Sequence, residues 1–512
     1  MLTVCQTRLA YFCNRRHMFK TGVSFTMSSY GQGYTARRMG RSAGRWISGL
    51  LCGAAMHLAA AAQSLPPELQ KAFQSTRLPE SAMSLVIQEI NGPVLVSINP
   101  SEPRNPASVM KMVTTWTGLS GLGPEYRWRT SFYARDGASV DAQGSLRGPL
   151  YLKAGGDPFL TMAELWSLLR ELRLRGIKNL PEVIVDRSVF GAVATNPGEF
   201  DDAPDRPYNA SPDAMMVSLG AVRLLFAPDT AARKWIPVID PPLAGVRISG
   251  DIAWSSAVCP GSPSVGTQVI HTGSDIVIQV SGTAAGSCGE FSVYRLALSQ
   301  PENFSALFQL LWKELGGTLG KGLSSGRVPA SAQVVAWHDS ESLADTIRHI
   351  NKQSNNVMAR TLLLTLGAEK AGGGATSKVG ATAAEAILRS QGVDTRGWNI
   401  DNGAGLSREG RLTANGLAAM LNVAWRSPLM PEFISSLAIS GVDGTVKRRL
   451  RDDQVRGMAH LKTGTLRNAR ALAGYVLGAS GKRYIVVSLV NDERSSAIRP
   501  FDDALITWLA EH

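Results

Sequence analysis

The chain has 512 residues, 44% of them hydrophobic, 18% charged and 7% aromatic, which excludes a disordered polymer and suggests about three domains. Its 51 glycines and 26 prolines follow no fixed period, which sets aside collagen, solenoids and propellers. The formal net charge is +12, but eight basic residues and no acid fall in the first 62 positions, leaving 45 basic against 41 acidic residues, so nucleic acid is not an expected partner.

Arg41 and Arg45 precede a weakly apolar run, 46–62, that ends in Ala60-Ala61-Ala62 and is followed by Pro66 and Pro67. This is the order of a secretory signal peptide, so 1–62 reads as a leader cleaved after Ala62, with the true start at Met39. His57 and the shortness of the run disfavour an anchor, and no later stretch reaches the roughly 18 apolar residues of a spanning helix. The mature chain is therefore expected outside the cytoplasm without a transmembrane anchor. Three of the five cysteines lie in the leader, leaving Cys259 and Cys288. An oxidising compartment would let them bond; otherwise they are two separate buried thiols. Neither has a metal-ligand neighbour and the histidines show no metal-binding spacing, so no metal is expected.

Apolar runs at 83–90 and 93–98 flank Asn91-Gly92, a dipeptide suited to the two positive φ values of a tight hairpin turn. A largely buried helix is expected over 108–119, with Pro106 marking its start. Beyond Gly123-Pro124 the texture becomes short strand-like runs punctuated by Gly, Pro and Asp, interrupted by one helical pattern at 162–175. Helical periodicity returns at 302–315, 342–366, 381–390 and 414–424. Two strands, 471–477 and 484–490, and a helix, 501–509, close the chain. A sheet built from both chain ends, with helices between, makes this an α+β protein in which a β-rich region, 134–299, interrupts a body formed by 63–133 and 300–512.

Ser108 and Lys111 stand three apart on the first long helix, which puts their side chains on one face. A serine hydroxyl needs a base to become a good nucleophile, and a lysine amine serves only if burial or a nearby cation lowers its pKa. Ser354-Asn355-Asn356 follows in the helical stretch 342–366, and Lys462-Thr463-Gly464-Thr465 lies just before the final strands. Each pattern alone is weak: Ser97-Ile98-Asn99 repeats the second and Lys20-Thr21-Gly22 the third. Their order along the chain, Ser-x-x-Lys, Ser-x-Asn, Lys-Thr-Gly, is the informative feature.

With these motifs the chain resembles the class C low-molecular-weight penicillin-binding proteins, the D-alanyl-D-alanine carboxypeptidase/endopeptidase family. The resemblance extends to Gly155-Gly156-Asp157-Pro158, to 402–408 (Asn-Gly-Ala-Gly-Leu-Ser-Arg, with Asn402 and Ala404 departing from the family's Asp and Ser), and to 441–445. It implies an α/β sandwich of the transpeptidase type with a large insertion, no cofactor, peptidoglycan stem peptides ending in D-Ala-D-Ala as substrates, β-lactams as inhibitors, and a periplasmic location.

By resemblance Ser108 is the acylated nucleophile and Lys111 its base, Ser354 relays a proton, Asn356 binds a peptide carbonyl, and Lys462 adds positive potential. Thr463, Gly464 and Thr465 would receive the substrate, with the N–H groups of Ser108 and Thr465 as an oxyanion hole. Asn209 and Asp213 in the insertion, and Arg408, are candidates for contacts to the stem peptide. Lys447, Arg448 and Arg451 read as solvated charges. A serine β-lactamase and a non-catalytic peptidoglycan-binding scaffold are the alternatives. The 246 residues between Ser108 and Ser354 count against a compact β-lactamase, and the intact Ser, Lys, Ser, Asn, Lys set counts against a scaffold.

Overall fold

Both ends of the described chain enter one six-stranded antiparallel sheet, in the order Ala438–Ile439, Ala459–Leu466, Ala469–Leu477, Arg483–Asn491, Met83–Glu89, Val94–Ile98. The computed structural model describes residues 64–512 apart from 262, 274, 452 and 453; the expected leader, with its start at Met39 and cleavage after Ala62, lies outside the described residues. Strand side chains alternate between faces. Leu85, Ile87, Leu472, Val486 and Val490 join the terminal helices Pro67–Ser75 and Arg499–Glu511 in one core, where Phe73 meets Phe501 edge to face at 5.4 Å. Val86, Ala471, Ala473, Ile485, Val487 and Leu489 point the other way, into a core shared with the helices Met110–Leu122 and Ala414–Arg426. Because both faces are covered, these strands are apolar almost throughout.

Every residue from Met110 to Leu119 is buried, since this helix lies between the sheet and the helices Leu343–Lys352, Asn356–Ala371 and Ser377–Ser390. Its polar side chains are satisfied locally: Thr115 and Thr117 donate to the carbonyls of Lys111 and Val113, and Thr114 donates to that of Gly403.

A mixed five-stranded sheet, in the order Leu323–Ser325, Val183–Asp186, Leu150–Lys153, Arg129–Ala134, Gln333–Asp339, forms the base of the insertion. It carries the helices Met162–Leu174 and Gln300–Glu314. The sheet draws on segments outside the expected 134–299 span on both sides, and Gln300–Glu314 buries Phe304, Phe308 and Trp312 in this core. Apolar periodicity marks a buried helical face without naming the core it joins. Farther out, a three-stranded and a four-stranded sheet meet through Trp235, whose ring lies 5.3 Å from Trp254 and 5.0 Å from Phe291. Cys259 and Cys288 are bonded there, with Cα atoms 4.9 Å apart.

Three local expectations change. In the first hairpin only Asn91 takes a positive φ, +60°, and the turn closes through Glu89 N–H donating to the Pro93 carbonyl, so the connection is longer than a two-residue turn. Ser108 sits on a 3₁₀ turn, Ala107–Val109, that precedes the α-helix. The stretch 342–366 is two helices, Leu343–Lys352 and Asn356–Ala371, with Ser354 between them at φ +58°.

Candidate active site

Pro106 and Ala107, the latter at φ +45°, turn the chain sharply enough to present Ser108 at the mouth of the buried helix. Asn105 fixes this corner. Its Oδ1 accepts from the Ala107 N–H at 2.9 Å, its Nδ2 donates to the Ser407 carbonyl, and its backbone pairs with the Asn491 side chain on the adjacent sheet strand. Lys111, one turn on and fully buried, brings Nζ within 3.0 Å of Ser108 Oγ. The same amine donates to Asn356 Oδ1 at 2.7 Å and to the Ala404 carbonyl at 2.6 Å. Burial holds its pKa well below the ordinary lysine value, and the cations of Lys462 and Arg360 add to that.

The break between the two helices explains the second motif. Left-handed Ser354 reverses the chain, and the Asn355 side chain caps the new helix by accepting from the Met358 N–H at 3.1 Å. Asn356, at the first turn, then faces Lys111 with its oxygen and donates through Nδ2 to the Tyr208 carbonyl of the insertion at 3.1 Å. Ser354 Oγ accepts from Lys462 Nζ at 2.9 Å. Lys462 is fully buried on its strand, donates also to the Thr463 carbonyl at 2.8 Å, and is pushed down to about 7 by burial.

On the outer side of Ala459–Leu466 the two-residue strand Ala438–Ile439 pairs only with His460 and Leu461, so 463–465 form an open edge. Thr463 Oγ1 donates to Thr445 Oγ1 at 2.8 Å. Gly464 is required by proximity: a Cβ there would stand 2.6 Å from the Pro106 carbonyl oxygen and 3.0 Å from the Ser108 nitrogen. Ser108, Ser354, Thr445, Thr463, Gly464 and Thr465 line a cleft of about 700 Å³.

Ser108, Lys111, Ser354, Asn356, Lys462, Thr463, Gly464 and Thr465 thus share one centre. The other three residues singled out in the sequence are used elsewhere. Asn209 is buried and ties its own loop, donating to Asp201 Oδ1 at 2.7 Å and to the Ala203 carbonyl. Asp213 pairs with Arg187 at 3.0 Å beside a separate cavity in the insertion. Arg408 donates to the Phe200 carbonyl at 2.8 Å and lies over that ring, in a second cleft with Asp201 and Asp202.

Sequence reasoning missed Asn105, the Ala404 and Tyr208 carbonyls, Thr445 and Arg360. Backbone acceptors leave no mark in side-chain patterns, so only the glycines around Ala404 hinted at that contact. Gly405, at φ +73°, packs so closely on the Ala107 carbonyl that any Cβ would overlap it. Asn402 accepts from the Ala404 N–H at 3.0 Å and donates to the Leu406 carbonyl, and so shapes the loop.

A D-alanyl-D-alanine carboxypeptidase of an Actinomadura strain is 28% identical over 451 residues, covering 85% of this chain and 82% of the relative. The D-alanyl-D-alanine carboxypeptidase DacB of Haemophilus influenzae is 23% identical over 428 residues, covering 81% and 86%. The crystal structure of penicillin-binding protein 4 from the same organism matches with a TM-score of 0.70 at 22% identity, covering 87% of this chain and 99% of that one, so the two share this α+β fold with its large insertion. The description of the D-Ala-D-Ala carboxypeptidase 3 (S13) family matches residues 65–512, and the chain belongs to that family of serine peptidases.

Proposed function

We propose that this peptidase removes the terminal residue from peptidoglycan stem peptides ending in D-Ala-D-Ala, and cleaves peptide cross-links, through an acyl-enzyme on Ser108. The carrying observation is the environment of Lys111 Nζ. A neutral amine has two N–H bonds and one lone pair. Asn356 Oδ1 and the Ala404 carbonyl take the two N–H bonds, which leaves the lone pair for the Ser108 hydroxyl at 3.0 Å. In this reading Lys111 accepts the Ser108 proton as Oγ attacks the penultimate D-Ala carbonyl, and the Ser108 and Thr465 N–H groups hold the oxyanion.

The leaving amine takes its proton through Ser354, whose hydroxyl is hydrogen-bonded to Lys462. Thr463 and the positive potential around Lys462 receive the substrate carboxylate, and the open strand edge pairs with the extended peptide. Water then hydrolyses the ester, with Lys111 as base, and Ser108 is regenerated. A β-lactam would stop at the ester, because its leaving group stays tethered. The setting is periplasmic; no helix among the described residues is long and apolar enough to cross a membrane.

The test is to label the purified protein with a fluorescent penicillin and measure intact mass for wild type and Ser108→Ala. One stable adduct on wild type alone, together with D-alanine release from a D-Ala-D-Ala peptide, is expected. Rapid turnover of the drug would point to a β-lactamase instead, and neither adduct nor turnover to a scaffold.

A further inference from the structure

The cleft does not end at the serine. From Ser108 and Thr465 it continues past the strand edge to Arg448, Arg449, Arg470, Ser496 and Arg499, in a volume of about 700 Å³ that a single alanine leaves largely empty. Arg449 is neutralised by Asp503 at 2.6 Å. Arg448 and Arg499, both exposed, make no ion pair among the described residues. Arg470, directly across the ladder from Thr465, donates through Nη1 to the backbone carbonyls of Leu466 and Ala469 and makes no ion pair among the described residues. The acid lining this end, Asp502, is buried, accepts from Ser488 Oγ at 2.9 Å, and has its carboxyl pushed up to about 7 by burial, so it offsets the arginines only in part. Three guanidinium groups therefore line one cleft, whereas in the reading above a substrate carboxylate next to the scissile bond is already served by Thr463 and Lys462.

We infer that Arg448, Arg470 and Arg499 form an anion subsite on the leaving-group side of the cleft, which selects substrates whose departing amine belongs to a peptide carrying a second carboxylate. That is the chemistry of a branched, cross-linked stem peptide and not of free alanine. The inference rests on the carboxypeptidase reading above and names the charge its cleft selects. In the step itself the amide C–N bond breaks and the acyl carbon bonds to Ser108 Oγ. The freed amine takes a proton through Ser354, and the leaving peptide departs with both carboxylates intact. The positive field lowers the free energy of that anionic group before and during cleavage, and it weakens with salt because the arginines are partly solvated.

The experiment compares two acyl-D-Ala-D-X donors of equal size, with X as D-glutamate or D-glutamine, on the full chain. For wild type, kcat/KM should favour the glutamate donor about three- to tenfold at low ionic strength, as two or three partly exposed ion pairs allow. In Arg448→Gln/Arg499→Gln the ratio should fall toward one, and in Arg448→Glu/Arg499→Glu it should invert. Stoichiometric labelling by penicillin shows that each variant is folded, and the single substitutions replace any double variant that loses the label. A wild-type ratio near one, or a ratio that labelled variants leave unchanged, overturns the subsite while leaving the carboxypeptidase reading standing. Failure of wild type to turn over either donor or to take the label overturns that reading itself.

Discussion

Arg360 stands one helical turn beyond Asn356, half-buried, with Nη1 donating to the Ala210 carbonyl at 3.4 Å and Nε without a hydrogen-bond partner among the described residues. Its charge is one of the causes that lower the Lys111 pKa, after burial and Lys462. It touches neither the serine nor the amine and acts through the field, as a positioning residue for the proton. Arg360→Gln removes the cation while keeping a polar side chain, so the Lys111 pKa moves up and a smaller fraction of the enzyme carries a free base at acid pH. The rate of acylation by penicillin should fall several-fold near pH 6 and converge on wild type as pH rises, and Arg360→Lys should restore most of it. A rate lowered equally at every pH would mean that Arg360 only packs. The three motifs were legible in the sequence because each is a local spacing of side chains. Arg360 was not, because its effect depends on distance to residues about 250 positions away.

The helix pair 343–371 shows what periodicity alone leaves out. Ile347 and Ile350 before the break, and Val357 and Met358 after it, keep a helical rhythm, so the sequence reads as one continuous helical stretch that carries Ser354. The chain instead turns at a left-handed serine, and that turn aims Ser354 at Lys462 and Asn356 at Lys111. Asn355 holds the turn by supplying the cap that the first N–H groups of the second helix need. Asn355→Ala should cost about 1 kcal/mol of stability, seen as a lower denaturant midpoint with unchanged slope, and Asn355→Ser should recover most of it. Equal midpoints for Ala and Asn would remove the cap from the account. The same limit applies to the helix Gln300–Glu314: its pattern was readable, but whether it joins the insertion is decided by Phe132, whose ring lies 6.3 Å from Phe308. The sheet built from the two chain ends was legible because its strands are apolar runs flanked by turns, and these survive any tertiary context.

The insertion and the sheet-bearing body meet where Asn356 donates to the Tyr208 carbonyl at 3.1 Å and where the Phe159 ring is stacked on His349 at 4.5 Å. Phe159 leaves the Gly155-Gly156-Asp157-Pro158 turn, where buried Asp157 accepts from the Phe159 N–H at 2.8 Å. Burial pushes the Asp157 carboxyl up to about 7, and it does the same to Asp502 under the sheet. Each body thus contains an acid whose carboxyl burial raises well above the ordinary carboxylate range. Between about pH 4 and pH 7 the folded chain binds these two protons and the unfolded chain does not, so their contribution to stability is full below about pH 4 and is lost as pH rises through 7. Asn imitates the protonated acid at both sites without a charge to bury. Asp157→Asn and Asp502→Asn should therefore leave Tm near wild type at pH 4.5 and raise it by several degrees at pH 8, with the double variant close to additive because the sites lie in different cores. Thermal unfolding across this range decides the matter: a variant whose Tm difference from wild type is constant with pH would show that the carboxyl at that site is ionised in the folded state throughout.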